Sequence, residues 1–123
     1  MAGLKNAQAQ ESTGISFHGF DPDMLKDVKT GLETGLRKVE DDLRISCRYM
    51  PFRIEYRPTR SGGNIFVSTW NKLGEVSQVP DPFQITTKPG QAGRQKLDAY
   101  EFSKYIRDNL VKSKDLVREI CAQ

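Results

Sequence analysis

Arg44, Arg48, Arg53, Arg57 and Arg60 fall within the stretch "RISCRYMPFRIEYRPTR", interleaved with Tyr49, Phe52 and Tyr56. Guanidinium groups fork onto phosphate or carboxylate oxygens and aromatic rings stack on bases, so this composition suits a surface that binds nucleic acid. Strand alternation limits that reading. In an extended chain Phe52, Ile54 and Tyr56 face one way, while Arg53, Glu55 and Arg57 face the other. The rings then belong to the core, and the arginines form a basic face with Glu55 in its middle. An antiparallel edge guarded by charge against aggregation has the same pattern. Beyond the strand, Arg60, Ser61, Gly62 and Gly63 make a glycine-rich tip able to reach a groove or pocket on a partner.

Other reactive groups are sparse. His18 is the only histidine and lies in "ISFHGFD", just ahead of a helix. A triad built on it would hang on a lead-in segment, and a surface or capping role is expected instead. The run Glu40, Asp41, Asp42 offers hard-metal oxygens, but consecutive helical residues diverge by about 100° and do not chelate one ion together. A solvated acidic helix end is expected. "GQAGR", Gly90 to Arg94, precedes a helix but has neither the spacing nor the strand of a phosphate loop. Cys47 and Cys121 lie far apart with no CxxC spacing, which points to two buried free thiols rather than a zinc site or a disulfide framework. The residues therefore imply a protein that is not an enzyme, with no cofactor, no metal and no small-molecule substrate.

The elements that position these residues follow from periodicity. Asp21 and Pro22 open a helix as N-cap and first residue. Leu25, Val28, Leu32, Leu36, Val39 and Leu43 then form one apolar stripe. Gly31 and Gly35, four apart at its edge, predict a close approach by another backbone, a strand of the same domain or a second subunit. Phe52 to Trp70 reads as a hairpin, with "NIFVSTW" β-branched and aromatic on both faces, as expected of a strand covered on both sides or paired centrally. Between 71 and 96, proline and glycine leave room for one short strand, Phe83 to Thr87. A second helix, about Gln95 to Cys121, carries Ala99, Phe102, Ile106, Leu110, Val117 and Ile120 on one stripe, with an expected Asp108–Lys112 pair. The fold class is α+β: helix, two- or three-stranded antiparallel sheet with an extended hairpin, and C-terminal helix, packed in two layers. Residues 1–14 read as a polar N-terminal arm and 15–123 as a single domain.

At 123 residues one core is expected. The net charge of +3 is weak but polarised. The first helix, 21–43, carries net −3 and residues 44–60 carry net +4. No apolar run is long enough to span a membrane, so a cytoplasmic, soluble protein is expected.

The order helix, strands, helix resembles double-stranded RNA-binding domains, although "GRQKLDAYEF" sets Asp98 and Glu101 where that family opens its second helix with lysines. It also resembles, in topology, small tail-completion and tail-terminator subunits of tailed bacteriophages, which clasp neighbours in a ring through hairpins and termini. The resemblance implies an assembly subunit of a larger particle such as a virion, working as a homo-oligomer or against neighbouring subunits. In that reading Arg53, Arg57 and Arg60 meet an acidic patch on the neighbour around Glu40, Asp41 and Asp42. The alternative is nucleic-acid binding by Arg44, Arg48, Arg53, Arg57 and Arg60, aided by Lys104, Arg107 and Arg118. A third reading is an inhibitor that masks a host protein.

Overall fold

The computed structural model describes residues 14–47, 50–86 and 97–121. The chain runs β1 (Ile15–His18), α1 (Pro22–Leu43), β2 (Phe52–Thr59), β3 (Gly62–Trp70), β4 (Val76–Gln78), β5 (Phe83–Thr86), α2 (Ala99–Lys112) and α3 (Lys114–Cys121). The class is α+β as expected, but the sheet is five-stranded and mixed, larger than the two or three antiparallel strands read from the sequence. β1 pairs in parallel with β2, from Ile15 opposite Phe52 to His18 opposite Glu55. Parallel neighbours need a crossover, and α1 supplies it. β2 and β3 form the expected hairpin around Arg60 and Ser61. The far edge of β3 is shared by β4, at Ser68 to Trp70, and β5, at Gly62 to Ile65.

Pairing with β5 ties down one side of the extended hairpin. Gly62 and Gly63, next to the tip, lie opposite Thr86 and Ile85 and are buried. β1 ends opposite Glu55, so Tyr56 to Thr59 forms the outer edge of the hairpin, and Pro58 sits there, where no N–H is needed for a ladder.

Asp21 caps α1 by accepting the Met24 N–H at 2.8 Å, with Pro22 in the first turn. The buried face of α1 is Met24, Val28, Gly31, Leu32, Gly35, Val39 and Leu43, while Leu25 and Leu36 are only half-buried. The helix is thus turned toward its glycines, because α2 packs there. A Cβ on Gly31 would stand 2.8 Å from the Ala99 carbonyl oxygen, and one on Gly35 would stand 2.8 Å from that of Ser103. The close backbone is therefore a helix of the same chain, not a strand or a second subunit.

The second helix is not continuous. Ser113 leaves helical geometry (φ −105°, ψ 41°) and its N–H bonds the Leu110 carbonyl at 3.1 Å. A serine that competes locally for backbone groups is a natural place for such a break. The stripe survives it: Phe102, Ile106, Leu110, Val117 and Ile120 are all buried against Phe52, Ile54, Ile65, Val67 and Ile85 of the sheet. Asp108 faces Arg107 at 3.8 Å rather than the expected Lys112.

The expectation for the cysteines is overturned. Cys47 and Cys121, 74 residues apart in sequence, are joined as a disulfide with Cα atoms 5.0 Å apart. Spacing along the chain carried no trace of this, because the pairing depends on where α3 ends. The polar arm, apart from Gly14, and the opening of the second helix at Gln95 and Lys96 lie outside the described residues.

Two measurements check this packing. Gly35→Ala gains about 1 kcal/mol in helix propensity, yet it should lower the melting temperature, since overpacking against backbone costs about 1–3 kcal/mol; a rise would mean the helices part freely. Closing a 74-residue loop stabilises by roughly 4 kcal/mol in the chain-entropy picture. Reductant should therefore lower the melting temperature of the wild type and leave Cys121→Ser, already lowered, unmoved. An unchanged wild type would contradict the pairing.

Candidate functional site

The buried side chains Phe52, Ile54, Ile65, Val67 and Ile85 share the helix-covered face with the half-buried Phe17, Tyr56 and Phe83, and alternation sends the residues between them to the opposite face. Register places Ser16, Arg53, Ser68 and Gln78 in one row across that face, and His18, Glu55 and Phe66 in the next. Arg57, Asn64 and Gln84 form a third. Among the described residues no helix or strand covers them.

The arginines of this face are organised around Glu55. Arg57 donates from Nε and Nη2 to the two carboxylate oxygens, each at 3.3 Å, and Arg53 Nη2 approaches to 3.9 Å. Arg53 also donates to His18 Nε2 at 3.1 Å. The Arg57 hydrogen bond, with smaller help from the charges of Arg57 and Arg53, holds the Glu55 carboxyl below its usual range. Along β2, the Arg53–Glu55–Arg57 row therefore keeps alternating charge, positive, negative, positive, into mildly acid solution. His18 is thus part of an edge strand rather than of a lead-in loop.

β3 contributes what the sequence reading missed. "NIFVSTW" is buried on one face only; Phe66 and Trp70 are half-buried on the other, beside the arginines. The Arg57 guanidinium lies 4.8 Å from the Phe66 ring centre. Arg53, Glu55, Arg57, Phe66, Ser68 and Gln78 line a shallow cleft of about 260 Å³. Period two along β3 was the available signal, since it puts Phe66 and Trp70 out of register with Ile65, Val67 and Thr69.

At one end of the face, Trp70 stands opposite Val76, and a tight turn joins them. Asn71 Oδ1 accepts the N–H groups of Leu73 and Glu75, both at 3.0 Å, and its Nδ2 donates to Glu75 at 2.8 Å and to Glu119 of α3 at 3.2 Å. Gly74 takes the left-handed φ of 83° that the turn needs. This held turn presents Leu73 at 84% and Val76 at 69% exposure. These two are the most exposed large apolar side chains among the described residues.

The remaining candidates are scattered. Arg60 is exposed at the tip. Glu40 accepts the Cys47 N–H at 2.7 Å and so fixes the loop after α1. Asp42 takes Arg107 at 2.7 Å, an ion pair between α1 and α2 that raises the Arg107 pKa. Asp41 is exposed. Arg44 ends α1 in the left-handed region (φ 55°), Arg118 is exposed on α3, and Arg48 lies outside the described residues, as does the "GQAGR" stretch. Lys104 lines a cleft of about 580 Å³ between α2 and β5, among Asp81, Glu101 and Asp108. Among the described residues the basic side chains are thus divided between the open sheet face, the hairpin tip and the helical layer.

Among the described residues no group of three His, Cys, Asp or Glu side chains is placed to hold a metal ion, and no helix is long and apolar enough to cross a membrane. Tyr105 floors the larger cleft, packed on Phe83 and Phe102 with its hydroxyl donated to the Asp81 carbonyl. Burial, with the Asp81 charge second, pushes its phenol up to about 12 from 10.0. The neutral phenol is the form that fits, so its contribution is whole below pH 10 and is lost as pH rises toward 12. Alkaline unfolding curves should show the wild type losing stability over that window more steeply than Tyr105→Phe; equal slopes would contradict the buried phenol.

No protein-family model, curated protein or solved structure matches the chain.

Proposed function

We propose that this chain is a non-enzymatic assembly subunit that binds other protein subunits through the open face of its sheet. The observation that carries the reading is the makeup of that face. Phe66, Trp70, Arg53 and Arg57 stand on it, the exposed Leu73 and Val76 extend it at one end, and no described element covers it. Trp, Phe and Arg are the residues enriched where proteins meet proteins, and lysine is depleted there. The rows of this face contain no lysine.

Two features weigh against nucleic acid as the partner. A phosphate backbone would meet the Glu55 carboxylate at the centre of the face, already held by both neighbouring arginines. Arg107 and Lys104, expected to help, lie in the helical layer beside Asp42 and beside Glu101 and Asp108. The contact between a basic tip and an acidic helix end is weakened for the same reason. Asp42 is already engaged by Arg107 and Glu40 by a backbone N–H.

Light scattering after size exclusion, at low and high salt and with and without a generic oligonucleotide, tests the reading. A mass above the 13.9 kDa monomer without nucleic acid is expected. A monomer that shifts only with oligonucleotide, with affinity falling steeply as salt rises, would replace it with nucleic-acid binding.

A further inference from the structure

The partner is named by the symmetry of the face's own chemistry. A contact between identical patches must be self-complementary, residue by residue, across a two-fold axis. Most charged patches fail this test because like meets like. The Arg53–Glu55–Arg57 row passes it, since its signs alternate. Offset by one position across the axis, the Glu55 of each copy lies opposite an arginine of the other rather than opposite its own counterpart.

We propose that a second copy of this chain covers the open face, sheet against sheet about a two-fold axis, pairing Phe66 and Trp70 across the contact and interleaving the two Arg53–Glu55–Arg57 rows. The inference rests on the assembly reading and specifies its partner. Stacked sheets lie about 10 Å apart, a spacing that side chains of these sizes fill. The turn at Leu73 and Val76 gives the apolar rim at one end. The 28 strand residues of the sheet, each about 4.8 Å by 3.4 Å, make a patch of roughly 450 Å² per copy, so the two copies together bury a total at the low end, where transient contacts lie. The dimer is accordingly weak and concentration-dependent rather than obligate.

Trp70 is the only tryptophan in the chain, so tryptophan emission reports on the surroundings of this one residue of the open face. On concentrating the wild type, emission should move to the blue in step with a doubling of mass by sedimentation. Glu55→Arg makes the row wholly positive, and the double change Arg53→Glu with Arg57→Glu makes it wholly negative. Each variant alone should dimerise at least tenfold more weakly, and a one-to-one mixture should recover the dimer. Val76→Asp, at a site too exposed to matter for folding, should weaken it as well.

A wild type that stays monomeric at hundreds of micromolar overturns the proposal. An oligomer that forms equally well with all of these variants also overturns it, while leaving the assembly reading intact through another surface. A monomer that binds a single-stranded oligonucleotide with a Trp70 shift overturns both.

Discussion

The close contact of α1 with α2 is the constraint on which the rest of the structure depends. With glycine at 31 and 35, the backbone of α1 comes within reach of the Ala99 and Ser103 carbonyls, and Phe102 and Ile106 fill the seam. α1 is also the crossover between β1 and β2, so its position sets which face of the sheet is covered. Once the pair is seated, Phe52, Ile54, Ile65 and Val67 are sealed beneath it. The disulfide from Cys47 to Cys121 then ties the end of α3 to the loop that follows α1. One face of the sheet is closed by this arrangement, and the opposite face is left to whatever binds.

Charge reinforces that division. The acidic first helix and basic hairpin suggest long-range complementarity when read as a line of residues. In the fold several of these charges meet neighbours within the chain: Asp42 with Arg107, Glu33 with Arg37, Glu55 with Arg53 and Arg57. Exposed pairs of this kind contribute little to stability. Their consequence is geometric, because they hold the Arg53–Glu55–Arg57 row in one arrangement and leave it no strong net attraction for a polyanion.

How much of this was legible in the sequence depended on the range of the interactions. Asp21 and Pro22 announced the start of α1, and period two announced β2, because caps and alternation are local. Phe83 to Thr87 was read as a strand and β5 spans nearly the same residues, Phe83–Thr86. β1 was hidden: four residues make a strand only through a parallel partner more than thirty positions away. The break at Ser113 was masked by a stripe that continues through it. The glycine pair signalled a close approach but not by which element. The Cys47–Cys121 pairing had no local signal at all. For the candidate site, Arg53 and Arg57 were found from composition, whereas Phe66, Trp70 and Val76 join them only through cross-strand register, which no single segment displays.

Oxidative footprinting of the wild type at dilute and high concentration would decide whether the open face is the one that binds. Phe66 and Trp70 lie on that face, and Tyr100, at 63% exposure on α2, serves as control on the opposite layer. Protection of Phe66 and Trp70 on concentrating, with Tyr100 oxidised equally in both samples, is the expected result. Protection of Tyr100 with Phe66 and Trp70 unchanged would place the contact on the helices and contradict it.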